Sequence, residues 1–296
     1  MSLSSRLSRA GRADEQWSRI RAALDGKVVA ITGGARGIGY EIAGQVLAAG
    51  GRVALGDVDV DAVEKAAADL GVEGLQLDVT DSASFETFFD SVERRLGPVD
   101  VLINNAGIMP VGPFLDFDES LIRSTIDIDL VGVILGCRAA GRRMVGRGGG
   151  QIVNVASIAG RLPMPGLAVY NGAKSGVIEF SEAIDHELSG TGVRVSTVMP
   201  TFTRTGLVTG LTPNKMIQTV EPEVVAHRVL RSIAEPTVRA AAPWSMGWVD
   251  AVPSLSIGFK RTLTRLTKVD TVFLHPDSSE RKAYSERIGQ GGPPGR

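Results

Sequence analysis

From residue 28 onward, short runs of β-branched and other apolar residues alternate with longer stretches whose apolar positions recur at helical spacing. The apolar runs at 28–32, 52–57, 74–78, 99–104, 151–156 and 194–199 predict six strands. They are nearly continuous rather than alternating, as in strands covered on both faces. Helical periodicity falls between them, at 38–49, 61–70, 82–96, 119–145 and 170–188. This alternation predicts an α/β fold, a doubly wound parallel sheet with ligands at the carboxyl edge of its strands.

A chain of 296 residues suits one such domain with terminal extensions. The expected division is an N-terminal arm at 1–24, the main domain at 25–243, a helical extension at 244–288 and a disordered tail at 289–296. Arg6, Arg9, Arg12, Arg19 and Arg21 punctuate the leader without a following apolar core of signal-peptide length, so it reads as a frayed or peripheral arm. No run approaches the roughly 18 apolar residues of a membrane span. With 32 basic against 33 acidic side chains, net charge −1, bulk charge offers nothing to nucleic acid, and none is expected as a partner. The single cysteine, Cys137, has no intramolecular partner and sits in an apolar stretch, which points to a reducing, cytoplasmic setting. No metal is expected.

The segment Thr32-Gly33-Gly34-Ala35-Arg36-Gly37-Ile38-Gly39 follows the first strand and opens the first helix. Glycines there let the backbone turn sharply against a pyrophosphate, and the helix N-terminus supplies N–H groups to it. Asp57 closes the second strand about 20 residues further on, where a carboxylate can accept from ribose hydroxyls. Downstream, Ser157 follows the fifth strand, and Tyr170-Asn171-Gly172-Ala173-Lys174 opens a helix, placing Tyr170 and Lys174 on one face.

The Gly-x-x-x-Gly-x-Gly spacing and the Ser157, Tyr170, Lys174 series resemble the classical short-chain dehydrogenase/reductase family over roughly residues 27–207. The resemblance implies a Rossmann-like domain that transfers hydride between a nicotinamide cofactor and a secondary alcohol or ketone. It assigns Gly33, Arg36, Gly37, Ile38 and Gly39 to the cofactor loop and Asp57 to the adenosine ribose. Asp78 and Val79 would hold the adenine edge, and Asn105, Ala106 and Gly107 would lie along the cofactor. Pro200, Thr203 and Thr205 would contact the carboxamide and phosphates. Arg36 is of the kind found in members that accept NADP, but Asp57 stands where the extra phosphate would sit. NAD is expected, with NADP as the alternative.

In that family Tyr170 exchanges the proton, Ser157 holds the substrate oxygen, and Lys174 favours the phenolate while binding the nicotinamide ribose. An unperturbed phenol titrates near pH ~10, so a neighbouring ammonium is required for it to act as a base near neutrality. Two departures stand out. Asp129 replaces the usual Asn, and an ionised carboxylate there opposes ionisation of Tyr170. Thr201 replaces the glycine after Pro200, which is awkward if the turn requires positive φ.

The substrate side reads as a lid at about 204–221, containing Gly206, Gly210 and Pro213, and a loop at 158–169. Ile158, Leu162, Met164, Leu167, Leu207 and Val208 make both largely apolar, which implies a hydrophobic alcohol or ketone. Leu255, Phe259, Leu263 and Leu266 recur at helical spacing, with Arg261, Arg265 and Lys268 on another face. This helix is expected to dock on the domain or a subunit, with peripheral membrane contact as the alternative. The resemblance also implies a homo-oligomer. A reading from a different class is a catalytically weak nucleotide-binding regulatory or scaffold protein, favoured by Asp129 and opposed by the intact Ser157, Tyr170 and Lys174.

Overall fold

The computed structural model describes residues 3–213, 219–254, 258, 269–274 and 276–290, with side chains from residue 14 on apart from those of 253–254 and 269–271. Seven strands form one parallel sheet: β1 (Val28–Thr32), β2 (Arg52–Asp57), β3 (Glu73–Gln76), β4 (Val101–Asn104), β5 (Gly150–Val155), β6 (Val193–Pro200) and β9 (Arg239–Ala242). Their spatial order is β3-β2-β1-β4-β5-β6-β9. The helices α2 (Gly37–Ala48), α3 (Val60–Leu70), α4 (Ser82–Leu96), α5 (Glu119–Ile126), α6 (Gly132–Gly146), α7 (Ala168–Glu187) and α8 (Pro222–Ala234) cover both faces.

Alternate residues of one strand face opposite sides, and each side has its own core. Val28 and Ala30 join Phe85, Phe88, Phe89, Leu102 and Val177 on one face. Val29 and Ile31 join Ile42, Val46, Leu55 and Val229 on the other. Local chemistry fixes where the helices begin. Asp59, Asp81 and Asp118 cap α3, α4 and α5 by accepting from backbone N–H groups of their first turns. Deep in the first core, Asn104 Nδ2 donates to Asn154 Oδ1 at 2.8 Å and Asn154 Nδ2 to Ser181 Oγ at 2.9 Å. Cys137 Sγ lies 3.4 Å from Asn154 Nδ2, and burial pushes its thiol up to about 12.

Several predicted boundaries move. The helix expected over 119–145 is interrupted at Asp127–Val131, where Gly132 N–H donates to Asp127 O five residues back, a π turn. Strand β9 and helix α8 extend the sheet beyond the six predicted strands. Arg239–Ala242 is a run of Arg and Ala with little strand character of its own, and pairing with β6 makes it a strand.

The leader is not frayed in its described second half. It forms α1 (Leu3–Leu24), which packs along α8 with Ile20 and Leu24 fully buried. Trp17 stacks on His227 at 6.3 Å between ring centroids. These partners lie some 200 residues away, so nothing in the leader itself reveals them.

A short parallel pair, β7 (Phe202–Thr203) with β8 (Thr219–Val220), ties the two stems of the lid together, and Arg204 Nε lies 2.6 Å from Glu221 Oε1. At the C-terminus, α9 (Val269–Leu274) and α10 (Ser278–Arg287) fold back onto the domain. The amphipathic stretch at 255–268 lies outside the described residues apart from Gly258, as does most of the expected tail. Its first residues are held, since Gln290 Nε2 donates to Val111 O at 2.5 Å. Among the described residues no helix is long and apolar enough to cross a membrane.

Candidate active site

At the carboxyl edge of β1 the chain turns through Gly33 and Gly37, whose φ angles of +63° and +58° lie where side chains are rarely accommodated. A Cβ on Gly33 would lie 2.7 Å from Ala106 Cα, and one on Gly39 would lie 2.4 Å from Gly33 O. Gly39 therefore permits close packing behind the loop rather than bordering a ligand. Thr32 Oγ1 accepts from the N–H groups of Asn105 and Ala106, both at 3.0 Å, and Asn105 Nδ2 donates to Thr32 O and Gly33 O. The loop and the 105–107 turn are thus one hydrogen-bonded unit. Helix α2 begins at Gly37 without a side-chain cap, leaving its first N–H groups open to an anion.

Asp57 ends β2 facing the same cleft. Its Oδ2 accepts from Ala35 N–H at 3.3 Å and its Oδ1 from Asp59 N–H at 3.2 Å. Arg36 does not reach out as a free cation: its Nη2 lies 2.5 Å from Asp59 Oδ2. The guanidinium holds the Asp59 carboxyl below the usual range. Asp78 accepts from Thr80 N–H and Oγ1 through Oδ1 alone.

The catalytic candidates converge at the ends of β4 and β5. Ser157 follows β5, and its Oγ accepts from Ala159 N–H at 3.1 Å; its hydroxyl borders the same cavity as Tyr170 and acts to lower that phenol against the larger effect of burial. Tyr170 sits in the first turn of α7, and Lys174 one turn on carries its Nζ 5.6 Å from the Tyr170 ring centroid. Lys174 Nζ also donates to Val155 O at 3.4 Å. Burial raises the Tyr170 phenol well above its ordinary value, and the negative charge of Asp129 raises it further.

Asp129 is fully buried beneath Lys174, delivered there by the π turn. Its Oδ1 accepts from Ile108 N–H at 2.7 Å, while Oδ2 lies 3.7 Å from Lys174 Nζ without a hydrogen-bond partner. Burial raises its carboxyl to about 6 against the opposing pull of Lys174. The carboxylate thus occupies a closed position under the site rather than a place in the cleft.

These groups surround one cavity of about 800 Å³. Of the residues predicted for the site, all border it except Gly39 and Asp129. Thr201 N–H donates to Ala242 O at 2.9 Å, so the residue after Pro200 continues the pairing of β6 with β9. Thr205 Oγ accepts from Leu207 N–H, and Gly37 faces Thr205 across the cleft. The apolar wall comes from Ile158, Met164, Leu167, Leu207 and Val208, as the loop composition indicates, and also from Phe202 and Phe273, whereas Leu162 does not border the cavity.

Asp59 and the C-terminal residues Phe273, Arg287 and Ile288 were not foreseen at the cavity. Asp59 had a local signal, lying two residues beyond Asp57 on the same turn. The C-terminal residues had almost none, because α10 is polar all round in sequence and only the spacing of Arg281 and Tyr284 marks its buried face. Its contacts with Met109 span more than 170 residues.

The residues match the demands of a dinucleotide: an uncapped helix N-terminus, a glycine cradle that a Cβ would fill, and a carboxylate at the end of β2. Comparison with known proteins agrees with that chemistry. The short chain dehydrogenase family model matches residues 27–216. The chain is 39% identical over 189 residues to a D-threitol dehydrogenase of Mycolicibacterium smegmatis, covering 62% of this chain and 73% of that one. It is 36% identical over 214 residues to 2-(S)-hydroxypropyl-CoM dehydrogenase 3 of Xanthobacter autotrophicus, covering 70% and 82%. Among solved structures, a short chain dehydrogenase/reductase of Burkholderia phymatum in complex with NAD superposes with a TM-score of 0.70 at 26% identity, covering 76% of this chain and 92% of that one. With fold and family model in agreement, the chain belongs to the short-chain dehydrogenase/reductase family of oxidoreductases, which transfer hydride on alcohols and ketones.

Proposed function

We propose that this protein interconverts a hydrophobic secondary alcohol and its ketone, with NAD as the cofactor. The observation that carries this reading is the Ser157–Tyr170–Lys174 cluster, set in the same cavity as the glycine loop and Asp57 and walled on the other side by apolar residues. When bound, the nicotinamide accepts or supplies the hydride. Tyr170 takes the hydroxyl proton of an alcohol or gives one to a ketone oxygen. Ser157 fixes that oxygen by hydrogen bonding. Lys174 places positive charge beside the phenol and opposes the effect of burial on its ionisation.

Two features support NAD. The 2′-phosphate of NADP would approach Asp57 and Asp59, and the cation best placed to receive it, Arg36, is already paired. The wall of Met164, Leu167, Phe202, Leu207, Val208 and Phe273 fits an apolar substrate better than a polyol of the kind in the threitol dehydrogenase's name.

A second reading, a nucleotide-binding protein with little turnover, draws on the charge of Asp129 under Tyr170. One experiment separates the two. Purified protein is titrated with NADH by fluorescence and assayed against apolar secondary alcohols, their ketones and tetritols. NADH binding with preferential turnover of the apolar compounds, lost by at least ~10³-fold in Tyr170→Phe, supports catalysis of the kind proposed. Tight NADH binding without hydride transfer to any of them supports the second reading.

A further inference from the structure

The C-terminal helix α10 is built into the cleft by a buried cation. Arg281 is 2% exposed, and its guanidinium donates to Leu207 O at 3.0 Å, Thr209 O at 2.9 Å and Met109 O at 2.6 Å. Tyr284 Oη accepts from Met109 N–H at 2.8 Å, and Asp277 N–H donates to Gly210 O at 2.8 Å. The helix is therefore fastened both to the lid and to the loop after β4.

Its last turn carries Arg287, an exposed side chain that borders the same cavity as Gly37, Asp57 and Asp59. The guanidinium carbon lies 5.0 Å from the Tyr284 ring centroid, an arrangement that restrains it with little loss of exposure. Its charge reaches Asp59, although Arg36 is that carboxylate's ion-pair partner. Three basic residues border the cavity: Arg36, Lys174 and Arg287. Arg36 is paired with Asp59, and Lys174 stands over Asp129. Arg287 alone of the three lacks a carboxylate partner among the described residues.

A dinucleotide brings two negative charges in its pyrophosphate, and the N-terminus of α2 answers them with partial charges only. We propose that Arg287 is a phosphate ligand for the cofactor, carried by α10 to the pyrophosphate from outside the family's common domain. This rests on the reading of the cavity as a dinucleotide site. The pyrophosphate is favoured over a 2′-phosphate because Asp57 and Asp59 flank the place where the latter would lie.

The test uses the full chain and binding alone. NADH is titrated by fluorescence, then displaced by ADP, adenosine 2′,5′-bisphosphate and adenosine, for wild type, Arg287→Ala and Arg287→Lys; thermal unfolding checks that each variant is folded. Arg287→Ala should weaken NADH and ADP about tenfold and leave adenosine unchanged, with Arg287→Lys recovering part of the loss. Unchanged ADP binding in Arg287→Ala overturns the proposal. So does an equal loss for adenosine, which would mean that α10 only shapes the cleft, or a loss confined to the 2′-phosphorylated ligand. Failure of the wild type to bind NADH at all would defeat the cofactor reading itself, a result distinct from a normal wild type with an indifferent Arg287→Ala.

Discussion

Lys174 Nζ stands 3.7 Å from Asp129 Oδ2 beneath the active-site floor, so the ammonium nearest Tyr170 shares its field with a fully buried carboxylate. Burial and then Asp129 both raise the phenol of Tyr170. A neutral phenol can protonate a ketone oxygen, whereas alcohol oxidation needs the phenolate. Oxidation should therefore climb with pH into the alkaline range, while ketone reduction holds near neutrality. Asp129→Asn keeps an acceptor for Ile108 N–H and removes the charge. Its oxidation profile should shift about one pH unit downward, roughly tenfold in rate on the rising limb. Superimposable kcat/KM profiles for the two proteins would refute this role for Asp129.

The same carboxylate also sets a stability slope. Its folded-state value of about 6 lies above that of an unfolded aspartate, so the folded protein holds the proton more tightly. The resulting contribution to stability is complete below about pH 4 and is lost as pH rises through about 6. Urea unfolding of wild type and Asp129→Asn should differ in slope within that window, with the wild type losing more. Equal slopes would show that Asp129 is not so perturbed.

On the proposed NAD reading, cofactor choice turns on Asp57. Coulomb repulsion between its carboxylate and a phosphate at about 4 Å amounts to ~4 kcal/mol at an effective dielectric of ~20. Asp57→Ala should weaken NAD binding and strengthen NADP binding, while Arg36→Ala should change the ratio less, since Arg36 is tied to Asp59. A wild-type kcat/KM higher with NADPH than with NADH would reverse the assignment.

Arg281 offers a prediction about the lid. Arg281→Met leaves the carbonyls of Met109, Leu207 and Thr209 without their donor; an unsatisfied buried group costs about 1–3 kcal/mol, and of these residues Met109 is the buried one. A loss of about 3 kcal/mol corresponds to a Tm lower by roughly 10 °C for a domain of this size. Since Leu207 and Thr209 belong to the lid, KM for the alcohol should rise more than KM for NAD. Calorimetry and steady-state kinetics check both; wild-type values throughout would mean that the lid does not depend on this side chain.

The leader gives a simpler test. Ile20 is fully buried between α1 and α8, so Ile20→Ala should cost about 2–5 kcal/mol. Urea denaturation with an unchanged midpoint would mean that α1 contributes no stability through this contact.

What could be read from sequence was the chemistry carried by neighbours in the chain. The glycine loop needs only the order of residues between a strand and a helix, and Tyr170 and Lys174 need only one helical turn. The buried cation at Arg281, the π turn under Asp129 and the strand at 239–242 arise from partners far away. In Ser278–Arg287 every residue but Ala283 and Tyr284 is polar, which in isolation describes a solvated helix; burial of Arg281 becomes tolerable only because three carbonyls converge on it. Likewise, β6 turns the Arg-Ala run into a strand by offering a free edge.

Cys137 is the only thiol in the chain. It is buried beside Asn104 and Asn154 and held up to about 12, so it is protonated and shielded in the folded protein. A thiol reagent therefore reaches it only when the sheet and α6 separate. The rate of its alkylation measures how often the central core opens, and comparing that rate with and without NADH would measure how far ligand binding restrains this opening.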